Sequence, residues 1–355
     1  MKNLFQANGL PLLIGSLPLK DHEQALGLVF EYTPDIPLWV QLPAYKEERM
    51  IAQFLPGMPG VTVEEDRVFI DTKGEPFDDE VLQFYEEYIT VTEGGADIDN
   101  SRFVMGPDTA PGFFVLLEHL RTRDASPVAI KGQISGPVTF GMGLADREGR
   151  AVFYNEQTKD IMVKLLALKA GWQVGKLAGA GLPVILFLDE PAMAGYGSSE
   201  MISISREEIT ACLNEVIDAV HLKGGIAGIH VCANTDWSLI LESAVDIVNF
   251  DAYSYFDRFI LYADRIKKFI NRGGIIAWGI VPTSLPEDIE RETTESLLTR
   301  WREQMSQMEG VGIDRSLLLS RSLITPSCGT GTLSPAHAKR VLELTAGLSR
   351  AIRDK

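Results

Sequence analysis

The sequence predicts an α/β protein, a single (β/α)8 TIM barrel, and three features carry that reading. Eight short apolar or β-branched runs recur along 355 residues, most of them alternate with amphipathic stretches, and almost every chemically unusual residue group ends or follows one of the runs. Eight parallel strands close a barrel, and barrels of this kind keep their chemistry on the rim where the strands end. A chain of this length suits one barrel with an insertion, so 1–355 reads as a single domain.

The runs are 11–15, 37–42, 127–131, 184–188, 227–231, 246–250, 274–279 and 316–324. Amphipathic helices are expected over 21–32, 157–178, 206–222, 257–270 and 334–352. The last opens with Ser334 as N-cap and Pro335 at the first helical position, then sets Ala338, Val341, Leu342, Thr345 and Leu348 at helical spacing. Between the second and third runs, about 57–112 far exceeds a barrel loop of roughly 2 to 6 residues. Within it, 61–70 reads as two strands around an acidic turn and 79–92 as a helix. This hairpin-plus-helix insertion is expected to cover one end of the barrel.

Charge narrows the function classes. With 33 basic against 49 acidic residues the net charge is −16, and no block of Lys or Arg interrupts the acidic background. That argues against nucleic acid and anionic membranes as partners. No apolar run reaches the ~18 to 20 residues of a membrane helix. Three cysteines, Cys212, Cys232 and Cys328, are too few and scattered for a disulfide framework, and Met1-Lys2-Asn3 leads into no signal-peptide core. The expectation is a reduced, cytoplasmic protein.

The chemistry falls at the ends of the runs. His230 and Cys232 lie two apart at the end of the fifth, so both side chains leave a strand on one face, and Cys328 follows the eighth. Imidazole nitrogen and thiolate sulfur suit zinc, and three protein ligands leave a place for substrate. Asp251, at the end of the sixth run, is a candidate fourth ligand. Taken singly, each residue is better explained as a small buried cysteine or a satisfied core histidine; the trio at rim positions is what points to a metal. Cys212, inside a helical pattern, reads as core. Asp189-Glu190 turns successive carboxylates to opposite faces, which suits acid/base work or recognition of a substrate cation, or else an ion pair or loop cap. Gly15-Ser16 offers backbone N–H groups to a substrate carboxylate, or a plain turn. The loop Lys131 to Pro137 lacks phosphate-loop spacing, and Trp237 and Tyr253 read as core before they read as the wall of a ligand site.

Taken in order, Ile14-Gly15-Ser16, Lys131-Gly132 with Gly136-Pro137-Val138-Thr139, Asp189-Glu190-Pro191-Ala192, His230-Val231-Cys232 and Cys328-Gly329 resemble the catalytic barrel of cobalamin-independent methionine synthase. The wider superfamily includes uroporphyrinogen decarboxylase and zinc methyltransferases that use corrinoid proteins. The resemblance implies zinc on His230, Cys232 and Cys328, with Asp251 where the family has a ligating glutamate. It implies that Ile14, Gly15, Ser16 and Asp189 hold an amino-acid thiol such as homocysteine. The family's substrate-binding glutamate after the second strand falls among Gln41, Glu47 and Glu48, and Gln41 joins the substrate-binding set. Asp189 and Glu190 are the catalytic candidates. The departures are the lack of an amino-terminal barrel, Ile280-Val281-Pro282-Thr283 in place of the proton-donor histidine, and Ala194-Gly195 where an acidic residue is associated with folate. They shift the expected methyl donor from folate to methylcobalamin or a corrinoid protein. The competing readings are a porphyrinogen-type decarboxylase and a non-catalytic corrinoid or thiol carrier.

Overall fold

The computed structural model describes residues 5–65, 67–122 and 127–354, so Met1-Lys2-Asn3 and Asp66, in the acidic turn, lie outside the described residues. Among the described residues nine strands form: β1 (Leu10–Pro11), β2 (Val61–Glu64), β3 (Arg67–Ile70), β4 (Ile130–Ser135), β5 (Val184–Asp189), β6 (Ile226–Val231), β7 (Ile247–Phe250), β8 (Ile275–Val281) and β9 (Ser322–Pro326). Seven of them make one parallel sheet in the order β1-β9-β8-β7-β6-β5-β4. The sheet curls, and residues 37–42 lie between its two ends. On one side the Lys131 amide donates to the Pro37 carbonyl at 2.9 Å, and on the other the Gln41 amide donates to Gly15 O at 3.1 Å and accepts at its own carbonyl from Leu17 N at 3.0 Å. The run expected as the second strand therefore makes an isolated bridge to each neighbour instead of a ladder. Pro37 and Pro43 bracket it and offer no N–H.

Strand alternation sorts the apolar side chains into two cores. On β5, Ile185 and Phe187 point into an inner cluster with Leu12, Ile247, Ala277 and Leu323. Val184, Leu186 and Leu188 pack outward under the helices. The next inward positions toward the strand ends are polar and equally buried: Lys131 and Gln133 on β4, Asp189 on β5, His230 on β6, Asn249 on β7 and Thr325 on β9. The interior is thus an apolar plug beneath a polar layer.

Several expected boundaries move, each for a local reason. The run 316–324 is half helix: Asp314 caps Arg315–Ser320 by accepting from Leu317 N at 2.8 Å, and only then does β9 begin. The third strand starts at Ile130 rather than 127. The helix expected over 257–270 becomes Ala252–Phe259, a short turn and Ala263–Asn271, with Tyr255 at a non-helical φ of −127°. Arg206–Leu222 and Pro335–Arg353 form as the sequence predicts, and Ser334 caps the latter by accepting from His337 N at 3.1 Å.

The insertion contains the β2–β3 antiparallel hairpin and a helix over Glu75–Thr92, which starts four residues before the expected 79. Its last glycine, Gly112, opens the helix Pro111–Thr122 against residues 37–42, where a Cβ would stand 2.1 Å from the Val40 carbonyl oxygen. Gly112→Ala should therefore cost about 1–3 kcal/mol through forced separation of that helix from the strand-like segment. Gly175→Ala, in a helix interior with nothing within 4 Å of the added Cβ, should instead stabilise by roughly 0.5–1 kcal/mol. Urea midpoints at constant slope check both.

Candidate metal centre and cavity

The parallel sheet brings the ends of β6 and β9 together. His230 and Cys232 leave β6 on one face, and Cys328 follows β9 by two residues. Their donor atoms all lie within 4.8 Å of one another. Zinc bonds of about 2.0–2.3 Å in a tetrahedron would hold such donors roughly 3.5–4 Å apart, so a small closure accommodates the ion.

The tautomer of His230 is set by its neighbour. Asn249 Nδ2 donates to the Ala277 carbonyl at 2.9 Å and to Thr325 Oγ1 at 2.8 Å, which leaves Asn249 Oδ1 facing His230 Nδ1. An amide oxygen only accepts, so the imidazole proton sits on Nδ1. His230 Nε2 is then a bare lone pair, buried and without a hydrogen-bond partner. A buried acceptor in that state beside two thiols fits a borderline-soft dication, with Asn249 supplying the outer contact that metal-binding histidines use. The thiols are poised as well. Hydrogen bonding between them, opposed by burial and reinforced by His230, holds the Cys232 thiol below the usual range, and the same bond pushes Cys328 up.

A cavity of about 250 Å³ opens beside the trio. Ile14, Ser16, Gln41 and Asp189 line it together with the three donors. Ser16 is pinned by the chain after Cys328: its hydroxyl accepts from Gly331 N at 3.2 Å and its carbonyl from Thr330 N at 3.1 Å. Side chains at 329 or 331 would collide with it, since a Cβ on Gly329 would lie 2.3 Å from Ser16 Oγ. Gly15 packs against Gln41 and Gln133 and is not itself on the cavity wall. Asp189 Oδ1 is buried without a hydrogen bond, and burial raises its pKa against the pull of Lys131. Lys131 is fully enclosed. Its ammonium donates to the Ile14 carbonyl and to Gln133 Oε1, and burial pushes it down to about 8 while Asp189 opposes the shift.

Two expected residues point elsewhere. Glu190 is turned away from the cavity into the first turn of the helix Pro137–Gly143, accepting from Val138 N at 3.0 Å and from Thr139 N and Oγ1 at 2.8 and 2.7 Å. That geometry ties the end of β5 to the helix after β4 and leaves Glu190 off the cavity wall. Asp251 is the N-cap of Ala252–Phe259, accepting from Ser254 N at 2.8 Å, and it stands outside the close donor trio. Burial pushes its pKa up to about 6. Of the two aromatics, Trp237 is fully buried edge-on to Phe250 and Phe259, and Tyr253 donates to Glu292.

One cavity residue escaped a firm reading: Glu48. Lys46, Glu47 and Arg49 around it are exposed, yet Glu48 is 3% exposed and lines the cavity, because the turn Lys46–Glu48 after Pro43 rolls this one side chain inward. Nothing in the polar run marks which glutamate faces in.

No protein-family model matches the chain. No curated protein matches its sequence. Among solved structures, it is similar to a B12-independent methionine synthase from Shewanella sp. in complex with selenomethionine, at 18% identity over 67% of each chain with a TM-score of 0.47. It is also similar to a catalytic module of the pneumococcal exo-β-D-N-acetylglucosaminidase, at 10% identity over 97% of this chain and 85% of that one (TM-score 0.46). A fungal β-1,4-galactanase matches at 12% identity over 66% and 83% of the chains (TM-score 0.37). A methionine synthase and sugar hydrolases stand side by side here, so any reading of activity rests on the cavity's own residues.

Two outcomes follow from this geometry. Asn249→Ala frees the His230 ring, and zinc offered to the trio should bind about 10–100-fold more weakly than to the unaltered protein in competition with a chelator. Glu190, buried, is raised from 4.5 to about 7 by desolvation. A carboxyl that holds its proton more tightly in the folded chain makes stability fall as pH rises from about 4.5 to about 7 and level off above. Glu190→Gln should flatten that fall, as read from urea midpoints at about pH 5 and about pH 7.5.

Proposed function

We propose that the chain is a zinc-dependent methyltransferase that moves a methyl group to a small thiol such as homocysteine, on a single (β/α)8 barrel over 1–355 whose second strand is reduced to residues 37–42. The observation that carries this reading is the His230 lone pair beside two thiols on the wall of a cavity of about 250 Å³. His230, Cys232 and Cys328 would hold the zinc. Bound there, the metal makes a thiol nucleophilic at neutral pH and is itself redox-inert.

The rest of the cavity suits the other end of an amino-acid thiol. Asp189 and Glu48 would present carboxylates to an ammonium group, and the backbone at Ile14 and Ser16, on the same wall, would take the carboxylate. Lys131 fixes the Ile14 carbonyl from below. Two wall carboxylates repel the propionates of a porphyrinogen, which disfavours the decarboxylase reading. The methyl donor is taken to be a methylcorrinoid. Such a donor leaves with the bonding pair and needs no proton, in keeping with Thr283, hydrogen-bonded to Ser327 at 2.8 Å, where a proton donor would otherwise stand.

Cys232→Ser should abolish both stoichiometric zinc and methyl transfer from methylcobalamin to homocysteine, measured by elemental analysis and by product formation. Full zinc occupancy with normal turnover in that variant defeats the proposal. Homocysteine binding without product in the unaltered protein favours a carrier instead.

A further inference from the structure

The cavity wall carries two carboxylates, Asp189 and Glu48, and among the described residues no Lys or Arg side chain lines it. An amino-acid thiol placed there meets opposite charge at its ammonium end and only backbone at its carboxylate end. A positive charge stands behind that backbone. Lys131 is fully buried and off the cavity wall, and its ammonium donates to the carbonyl of Ile14, which is on the wall. Two more neighbours fix the ammonium in place. It donates to Gln133 Oε1 at 3.2 Å, while Gln133 Nε2 is tied to the Trp39 carbonyl at 2.8 Å, and it lies 4.7 Å from the centre of the Phe187 ring.

The path of this side chain matters for the wall. It leaves β4 and ends on the chain that follows β1, so it crosses the seam where residues 37–42 make only isolated bridges. The Ile14 carbonyl, the negative end of its peptide, is thereby taken up by an enclosed ammonium and does not confront an anion in the cavity. A charge enclosed in this way is screened far less than one at the surface.

We infer that Lys131 is the positioning residue for carboxylate recognition, so that the cavity selects thiols bearing both charges of an α-amino acid. Asp189 and Glu48 answer the ammonium, and Lys131, acting through Ile14, answers the carboxylate. Lys131 itself touches no substrate. The inference rests on the thiol reading above.

The test is isothermal titration of the zinc-loaded protein with homocysteine and with homocysteamine, which is homocysteine without its carboxylate. The unaltered protein should bind homocysteine about tenfold or more tighter than homocysteamine, the scale of a hydrogen-bonded charge. Lys131→Met should erase that preference, weakening homocysteine about tenfold or more and leaving homocysteamine within about threefold. Gln133→Glu, which keeps the lysine but sets a carboxylate against its ammonium, should reduce the preference in the same direction. Equal binding of the two thiols by the unaltered protein overturns the role of Lys131 and leaves the thiol reading standing. So does an equal loss for both thiols in Lys131→Met, which is what a disturbed fold would give. Should Lys131→Met fail to fold, an undiminished preference for homocysteine in Gln133→Glu overturns the inference. Binding of neither thiol by the unaltered protein overturns the thiol reading itself.

Discussion

Parallel pairing in an unbroken series from β4 to β7 is the constraint on which the site depends. Ser135 pairs with Asp189, Asp189 with His230, and His230 with Asn249, so one row of residues crosses four strands at one height. Because side chains alternate along a strand, a shift of one residue would send His230 into the helix layer and an apolar neighbour into the cavity. The register is held where the burial is strongest, by the inner cluster of Ile185, Phe187, Ile247 and Leu323 directly beneath. The apolar plug is what makes the polar layer above it reproducible.

That polar layer is costly in isolation. A buried polar group without a partner loses about 1–3 kcal/mol, and a buried ammonium more. Most of the layer is satisfied internally: Asn249 by Ala277 and Thr325, Gln133 by the Trp39 carbonyl, Lys131 by Ile14 and Gln133. The unsatisfied atoms that face the cavity, His230 Nε2 and Asp189 Oδ1, are the ones a ligand can reach. Where internal pairing stops, the binding surface begins.

Successive residues at a strand end divide the labour. Asp189 and Glu190 are chemically alike, and alternation sends the first into the cavity and the second to the helix Pro137–Gly143, where backbone N–H groups favour a negative end. Each is buried, and each for a different purpose. The same logic separates Asp251, spent on capping the helix after β7, from the donors on the neighbouring strand ends.

The sequence by itself determined the parallel α/β alternation, the helices whose caps are written in it, and the donor trio. His230 and Cys232 share a face because strand geometry has a period of two, and that rule is local. Tertiary structure alone decided the rest. Whether 37–42 would ladder or merely bridge depends on non-local partners on both sides, Ser16 for Gln41 and Lys131 for Leu38, and the leucine-rich run before β9 has no periodicity that separates helix from strand. Glu48 rather than Glu47 faces the cavity because of how one short turn rolls, and Asp251 caps the helix after β7 and stands outside the close donor trio. Proximity between β6 and β9 is a property of the curled sheet, and no local rule carries it.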